Sequence, residues 1–235
     1  MNVSVVIPVF NERETIPFLF HRLKPVCRQH AYDEIVCIDD GSTDDSLELL
    51  RQEQADCPGL KIVKLRVHSG KSAALAAGFA EARGDIIVTL DADLQNPPEA
   101  IPALVDKIGE ADAVIGWRRA RKDSVSKRWA SRLANAVRHF FLQDRSHDSA
   151  CALNAFRREY LLNIPMFKGM HRFFPALVQM QGAKVTEMQV PHESRLRGKS
   201  KYGPFSRGSG ALADLLAVIW LKKRRLPPRL VEKVF

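Results

Sequence analysis

Residues 86–98 of the chain read Ile86-Ile87-Val88-Thr89-Leu90-Asp91-Ala92-Asp93-Leu94-Gln95-Asn96-Pro97-Pro98. The apolar start predicts a short buried strand, because the run is too brief for a helix and rich in β-branched side chains. Pro97 and Pro98 prevent the strand from continuing. In an extended chain Asp91 and Asp93 point to the same side, where their carboxylates repel each other unless a cation lies between them. The stretch therefore predicts either a site for a hard divalent cation or an ordinary solvated acidic turn.

This stretch belongs to a series of alternating strand and helix patterns. Strands are predicted at Val3–Phe10, Glu34–Ile38, Lys61–Arg66, Ile86–Leu90 and Ala113–Trp117, and helices at Thr15–Gln29, Thr43–Gln54, Lys71–Ala82 and Glu99–Ile108. We expect Asp44 and Asp45 in the first turn of their helix, where negative charge suits the helix dipole. The alternation predicts an α/β fold, with a mostly parallel central sheet covered by helices on both faces.

The second half of the chain is less regular. The patterns predict a long basic helix at Ser124–Leu142, strands at Leu153–Phe156 and Lys184–Val190, a helix at Phe173–Gln181 and a Gly-, Ser-, Lys- and Arg-rich loop at Glu193–Arg207. An apolar segment at Ala211–Leu221 precedes a basic cluster at Lys222–Arg225, which fits either an interfacial helix or a helix packed on the core. We therefore expect one domain over residues 1–209 and a short apolar and basic segment over residues 210–235.

Composition narrows the class of protein. The chain has 235 residues, of which 46% are hydrophobic, so it can build a full core. Its four cysteines are scattered without a CxxC pair, which favours a reducing compartment and argues against a zinc site; Cys37 is expected in the core. No signal peptide pattern is visible at the start. The net charge of +9 suits nucleic acid, an anionic membrane surface or a phosphate-bearing substrate.

Polar clusters follow four of the predicted strands. They are Asn11-Glu12, Asp39-Asp40-Gly41-Ser42, His68-Ser69-Gly70-Lys71 and Asp91-Ala92-Asp93-Leu94-Gln95. A carboxylate at a strand end can accept hydrogen bonds from ribose hydroxyls or a base N–H, and Gly41 permits close backbone approach. The Gly70-Lys71 turn precedes a helix N-terminus, which is a natural phosphate site. Each cluster alone is typical of an ordinary turn, but four at the same edge of a sheet favour a nucleotide site.

The motifs also match a known family. They are Ile7-Pro8-x-x-Asn11-Glu12, Asp39-Asp40-Gly41-Ser42-x-Asp44, His68-x-Gly70-Lys71, Asp91-x-Asp93-x-Gln95-x-Pro97-Pro98, Gly116-x-Arg118, Asp148-x-x-Cys151, Phe156-Arg157-Arg158, His171-Arg172-Phe173 and Arg195-x-x-Gly198-x-Ser200-Lys201-Tyr202. Through them the chain, from Val3 to about Tyr202, resembles the family 2 inverting glycosyltransferases. Within that family it is similar to the polyprenyl-phosphate sugar transferases of the dolichol-phosphate mannose synthase type.

The resemblance implies a GT-A fold (a Rossmann-like sheet) and a nucleotide-sugar site. The implied nucleotide-sugar-binding residues are Pro8, Phe10, Glu12, Asp39, Asp40, Gly41, Lys71, Asp91 and Ala92. Asp91, Asp93 and Gln95 would hold the diphosphate through Mg²⁺ or Mn²⁺, with the metal shared between protein and substrate. Many relatives have tyrosine where this chain has Phe10, so ring stacking is retained there without a hydroxyl contact.

The resemblance also implies a polyprenyl monophosphate acceptor, which accounts for the basic excess. The implied phosphate-binding residues are Arg118, Lys127, Arg128, Ser131, Arg195 and Lys201, whereas Arg121, Lys122 and Arg145 are assigned to a solvated or membrane-facing surface. Arginine's planar fork suits phosphate. Whether Lys127 or Arg128 serves is open, and each also fits a solvated helix face.

The expected reaction is a single in-line displacement that inverts the anomeric carbon. The acceptor phosphate is already ionised, so no strong base is needed, and catalysis rests on positioning and charge through Asp93, Arg118, Arg195 and Lys201. Neither the sugar nor the nucleotide, GDP or UDP, follows from the sequence. We expect the protein to be peripheral on the cytoplasmic face of the membrane, with a separate membrane protein as a candidate partner.

Other classes of function fit less well. A nucleic-acid-binding module would place the acidic strand ends against a phosphate backbone, and no known nucleic-acid-binding pattern appears. A Rossmann dehydrogenase would need GxGxxG after the first strand, and a haloacid-dehalogenase-type phosphatase would need its Asp-x-Asp there. A regulatory subunit without catalytic activity is disfavoured by the intact Asp91, Asp93 and Gln95. The serious alternative is a family 2 enzyme with a saccharide or protein acceptor, for which Asp148 would be the first candidate base.

Overall fold

A seven-stranded sheet forms the centre of the protein. The computed structural model describes residues 1–32, 34–118, 138, 140–144, 146–148, 151–194 and 209–225. The strands are β1 (Val3–Val9), β2 (Glu34–Asp39), β3 (Leu60–Lys64), β4 (Ile86–Thr89), β5 (Ala113–Arg118), β6 (Asn154–Arg157) and β7 (Val185–Val190). The helices of the described residues are α1 (Ile16–His30), α2 (Ser46–Ala55), α3 (Lys71–Glu81), α4 (Ile101–Lys107), α5 (Arg158–Leu161), α6 (Phe174–Met180) and α7 (Ser209–Arg224). Short 3₁₀ turns lie at Pro98–Ala100 and Met170–Arg172.

The strand order is β3-β2-β1-β4-β6-β5-β7. β1 pairs in parallel with both β2 and β4, β2 with β3, and β5 with β7, which confirms the mostly parallel sheet. β6, which the sequence predicts only as a strand, runs antiparallel to both β4 and β5. Because β1, β2 and β4 are parallel neighbours, the residues that follow them meet at one edge of the sheet.

Apolar side chains cover both faces of this sheet. Along β1, Val5 and Ile7 belong to a core cluster that packs against α1, α2 and α4, and Val6 belongs to a second cluster on the other face. The second cluster includes Leu75 of α3 and Val218 of α7. Cys37 is fully buried, as expected. The alternation follows from the extended chain, whose successive side chains point to opposite faces.

Helix α2 begins later than the sequence predicts. The helix predicted from Thr43 begins at Ser46, so the expectation that Asp44 and Asp45 lie in its first turn is wrong. Asp44 accepts hydrogen bonds from the N–H groups of Ser46 and Arg13, and these bonds favour a turn before the helix. Most of the predicted helix Ser124–Leu142 and of the predicted loop Glu193–Arg207 lies outside the described residues.

Helix α7 packs on the sheet's second face. Val218 is fully buried, and Asp214 Oδ2 lies 3.2 Å from Arg172 Nη2. Lys222 Nζ donates to the carbonyl oxygens of Phe141 and Leu142, and Arg225 Nη1 donates to that of Met180. Among the described residues, no helix has the length and apolar character needed to cross a membrane.

Gly78 allows α3 to approach the sheet closely. A Cβ atom at this position would lie 2.4 Å from Val6 Cγ1 and 2.7 Å from Ile38 Cδ1. We therefore expect Gly78→Val to lower the free energy of unfolding by about 1–3 kcal/mol, the usual cost of overpacking a core. Urea denaturation would measure it. Gly210→Val is the matched control, because no heavy atom lies within 4 Å of a Cβ there; equal effects at both glycines would contradict the packing argument.

Candidate functional site

Asp39 ends β2 with one oxygen available for a ligand. Its Oδ1 accepts a hydrogen bond from the N–H of Ser42 at 3.1 Å. Its Oδ2 is buried, and none of the described residues donates a hydrogen bond to it. A buried carboxylate oxygen without a donor is unfavourable, so the site suits a ligand that brings an N–H or O–H group. The imide of a nucleobase and the hydroxyls of a ribose have this chemistry.

Asp40 has a different surrounding. Its two carboxylate oxygens accept hydrogen bonds from the N–H groups of Ser69 and Gly70 at 2.7 and 2.8 Å, and its Oδ2 lies 2.9 Å from His68 Nδ1. Asp40 is thus used to fix the loop that leads into α3. The loop also passes so close to β2 that a Cβ on Gly41, whose φ is +70°, would lie 2.7 Å from the backbone nitrogen of His68.

The end of β1 is tied to the loop after β2. The N–H of Asn11 donates to Ser42 Oγ, and Asn11 Oδ1 accepts from the N–H of Thr43 at 2.7 Å. Glu12, one of the expected nucleotide-binding residues, donates its N–H to Ser46 Oγ and accepts from the hydroxyl of Thr15. These bonds hold the two strand ends at a fixed separation.

An aromatic ledge lies beside these strand ends. The rings of Phe10 and His68 stack with centroids 3.8 Å apart and an interplanar angle of 20°. Phe10 is half-buried, His68 is exposed and half-buried Pro8 lies two residues before Phe10. The ledge offers an aromatic surface against which a nucleobase could stack.

Asp91 and Asp93 follow β4 in a tight turn. Asp93 Oδ1 accepts the N–H of Gln95 at 3.1 Å, and Leu94 adopts a positive φ of 58°. Ala92 and Leu94 are buried, whereas Asp91 is partly exposed. Lys71 Nζ, from the first residue of α3, lies 2.5 Å from Asp91 Oδ1. The structure therefore brings the end of β4 and the start of α3 together, as the sequence predicts.

Comparison with known proteins assigns the chain to a family. The family model described as "Glycosyl transferase family 2" matches residues 4–164. The chain belongs to glycosyl transferase family 2.

Curated relatives match most of the chain. The undecaprenyl-phosphate 4-deoxy-4-formamido-L-arabinose transferase of Pseudomonas syringae pv. syringae (strain B728a) is 41% identical over 229 residues, which are 95% of this chain and 67% of that protein. The protein of the same name from Pseudomonas aeruginosa PAO1 is 42% identical over 205 residues, 85% of this chain and 60% of its own length. The chain thus spans about two thirds or less of the length of these relatives.

Solved structures with low sequence identity share the fold. The glucosyl-3-phosphoglycerate synthase of Mycobacterium tuberculosis in complex with Mg²⁺ and uridine diphosphate superposes with a TM-score of 0.71 at 20% identity, covering 94% of this chain and 79% of that one. Its complex with Mn²⁺, uridine diphosphate and glucosyl-3-phosphoglycerate gives a TM-score of 0.70, also at 20% identity. Together with the sheet, this confirms the expected GT-A-like fold.

Arg118 is the one expected phosphate-binding residue of this family 2 protein that falls within the described part of the structure. Its Nε and Nη2 donate to the two carboxylate oxygens of Asp148 at 2.6 and 3.0 Å, and both side chains are largely buried. Burial disfavours the guanidinium charge, but Asp148 outweighs it and raises the pKa of Arg118. Lys127, Arg128, Ser131, Arg195 and Lys201 lie outside the described residues.

The segment that leads to Arg195 begins beside the Asp-x-Asp turn. The N–H of Glu193 donates to the carbonyl oxygen of Gln95 at 2.9 Å, and the side-chain amide of Asn96 donates to the carbonyl oxygen of Pro191 at 3.2 Å. These two hydrogen bonds join the segment after β7 to the turn that carries the expected metal ligands. Arg195 follows Glu193 by two residues.

A buried hydrogen-bond chain behind Lys71 has no counterpart in the sequence prediction. The hydroxyl of Ser72 accepts from the N–H of Gly169 at 3.0 Å, so its proton is available to His171 Nδ1 at 2.8 Å. Burial, helped by Lys71, lowers the pKa of His171 to about 3, so the ring is neutral at physiological pH. The motif His171-Arg172-Phe173 was visible in the sequence, but nothing there indicated its contact with α3.

Asp40 supplies a stability test of the site. In Asp40→Asn one carboxylate oxygen becomes an NH₂ group, which must face a backbone N–H of the loop and cannot accept from it. We expect the free energy of unfolding to fall by about 1–3 kcal/mol because the buried side chain at position 40 loses a hydrogen bond from the loop. Urea denaturation would measure this loss. Asp45→Asn, at an exposed carboxylate, should change stability by less than about 0.5 kcal/mol; a similarly small effect at Asp40 would contradict the assigned contacts.

Proposed function

We propose that the chain transfers a sugar from a nucleotide-sugar donor to a polyprenyl monophosphate, with inversion at the anomeric carbon. The observation that carries the proposal is the juxtaposition of the Asp91–Asp93 turn with Asp39, whose buried Oδ2 has no donor among the described residues. Curated relatives at 41% and 42% identity are named for a transfer involving undecaprenyl phosphate, which supports a polyprenyl phosphate acceptor. Their name also makes 4-deoxy-4-formamido-L-arabinose the first sugar to test.

The donor side is assigned from the contacts at the strand ends. Asp39 would accept from the nucleoside through Oδ2, and Phe10 with His68 would stack against the base. Lys71 lies at the N-terminus of α3, where backbone N–H groups and the ammonium favour a diphosphate. Glu12 lies beside the nucleoside site, whereas Asp40 and Gly41 would act indirectly by fixing the loop that presents Lys71.

A divalent cation fits the Asp-x-Asp turn. Asp91, Asp93 and Gln95 offer carboxylate and amide oxygens, the ligands preferred by Mg²⁺ and Mn²⁺. Within the described residues, no group of three or more His, Cys, Asp or Glu side chains could cage a metal ion. We therefore assign these residues to a metal shared with the donor. When bound, the metal supplies positive charge to the leaving diphosphate.

The acceptor side requires cations rather than a base. A phosphate is ionised at neutral pH, so its oxygen can attack without proton transfer. Arg118, Lys127 or Arg128, Ser131, Arg195 and Lys201 are proposed to hold it in line with the departing nucleoside diphosphate. Asp148, the candidate base for a saccharide or protein acceptor, accepts hydrogen bonds from Arg118 on both oxygens, so both of its oxygens are already engaged by a cation.

Asp93 tests the proposal. We expect Asp93→Ala to reduce transfer to undecaprenyl phosphate on the order of 100-fold or more, because the turn loses a charge that holds the donor's diphosphate through the metal. A product assay with labelled UDP- and GDP-sugars would measure transfer, and calorimetry would show loss of Mn²⁺-dependent nucleotide binding. Asp45→Ala controls for removal of an exposed carboxylate. Near-normal transfer by Asp93→Ala at saturating metal, or wild-type transfer only to saccharides or proteins, would refute the proposal.

We also infer that the protein attaches peripherally to the cytoplasmic face of the membrane through α7. Leu212, Leu216 and Trp220 recur every four residues and are 60%, 59% and 61% exposed. Phe140 and Phe141 add exposed aromatic surface near the end of α7. The exposed Lys223 and Arg224 follow the apolar row, which suits an anionic lipid surface.

This attachment can be measured with vesicles containing phosphatidylglycerol. We expect Leu216→Gln with Trp220→Gln to weaken binding by roughly tenfold or more, from the lost burial of two apolar side chains. Higher salt should weaken wild-type binding as well. Phe18→Gln is the control, because Phe18 is 44% exposed on α1, against the other face of the sheet. Unchanged vesicle binding by the double variant, or no binding by the wild type, would refute the inference.

A further inference from the structure

Arg22 joins three distant parts of the chain through one guanidinium group. From α1, its Nε and Nη2 donate to the two carboxylate oxygens of Glu99, each at 2.9 Å. Its Nη1 and Nη2 donate to the two carboxylate oxygens of Glu193 at 2.9 and 3.0 Å. The guanidinium therefore forms a bidentate pair with each carboxylate, which is the strongest geometry for such pairs.

The two carboxylates flank the functional site. Glu99 lies in the 3₁₀ turn Pro98–Ala100, which follows the Asp-x-Asp turn directly. Glu193 stands two residues before Arg195 and also donates its N–H to the carbonyl oxygen of Gln95. Arg22 thus connects the segment that carries the expected metal ligands with the segment that leads to the expected acceptor-binding cations.

The arrangement is more than an ordinary surface ion pair. Arg22, Glu99 and Glu193 are 25%, 50% and 40% exposed, and isolated pairs at such exposure usually contribute little. Here the guanidinium of Arg22 makes a bidentate pair with each of two carboxylates. The hydrogen bonds from Arg22 also lower the pKa of Glu193. By contrast, Lys24 on the same helix makes a single pair with Glu53 of α2, away from the strand ends.

We propose that Arg22 is a positioning residue for the transferase. It fixes Glu193, which precedes Arg195 in the sequence, against the turn that carries Asp93 and Gln95, and this contact favours binding of the acceptor beside the donor. This role rests on the proposed function. Arg22 itself does not touch the reacting groups, so its loss should affect the use of the acceptor more than the binding of the nucleotide.

Kinetics with Arg22→Met and Lys24→Met separate positioning from general stability. We expect Arg22→Met to raise KM for polyprenyl phosphate roughly tenfold while the Kd for nucleotide with Mn²⁺ stays within about twofold. Glu193→Gln should shift KM in the same direction, and Arg22→Lys should lie between wild type and Arg22→Met, because lysine keeps the charge but lacks the fork. Lys24→Met should leave both constants unchanged. Equal effects of Arg22→Met and Lys24→Met, or an unchanged acceptor KM in Arg22→Met and Glu193→Gln, would overturn the proposal.

Hydrogen exchange tests the contact without requiring activity. Loss of the guanidinium should speed exchange at the amide of Glu193, which is bonded to Gln95, and leave the amides of α2 unchanged. If exchange at Glu193 is the same in wild type, Arg22→Met, Arg22→Lys and Glu193→Gln, the positioning role is wrong whatever the substrate. If exchange at the amide of Glu193 changes in the variants but the wild type does not transfer sugar to polyprenyl phosphate, the proposed function is wrong. The contact made by Arg22 is then confirmed, but its role in binding polyprenyl phosphate is refuted.

Discussion

The site depends on how the protein compensates the negative charge gathered where β1, β2 and β4 end. Parallel pairing places Asp39, Asp40 and Asp91 at one edge of the sheet, where their repulsion would disfavour folding. Each carboxylate meets a different environment. Asp40 accepts backbone N–H groups, and Asp91 pairs with Lys71. Asp39 keeps one buried oxygen to which no described residue donates a hydrogen bond.

The loop between β3 and α3 links two of these carboxylates, Asp40 and Asp91. Asp40 holds the loop, Gly41 allows it to pass close to β2, and the loop in turn delivers Lys71 to Asp91. Behind Lys71, Ser72 links α3 to Gly169 and to neutral His171. Lys71, whose ammonium group pairs with Asp91, therefore lies on a helix that is held from two sides, and such preorganisation lowers the cost of binding a charged ligand.

The sequence predicted the elements better than their arrangement. Apolar runs such as Ile86–Leu90 predict strands, because a strand that is buried on both faces needs apolar side chains at successive positions. The polar residues that follow such strands then lie at one edge of the parallel sheet. The direction of β6 was not predictable, since the run Leu153–Phe156 has the same pattern in either direction. The start of α2 was not predictable either, because the side chain of Asp44 competes with the helix for backbone N–H groups.

Within the site, the residue types were predictable but their partners were not. Asp39 and Asp40 are adjacent residues of the same type, so the sequence cannot tell their roles apart. In the structure the loop donates hydrogen bonds to Asp40, whereas no described residue donates one to Asp39 Oδ2. The ion pair between Arg118 and Asp148 is likewise not evident from the sequence. Arg22 and Glu193 stand 171 positions apart, and no local pattern connects them. Such long-range contacts depend on the packing of helices on the sheet, which periodicity alone does not fix.

Helix α7 also supports the residues behind α3. Asp214 pairs with Arg172 beside Gly169, whose N–H reaches Ser72 next to Lys71, while Val218 fills the core under the same helix. A chain shortened at residue 208 would expose the core residues that pack against Val218 and would remove the Asp214 partner of Arg172. Helix α7 is therefore a structural part of the folded domain, and its buried side supports the turn behind α3 while its other side exposes the apolar row of Leu212, Leu216 and Trp220.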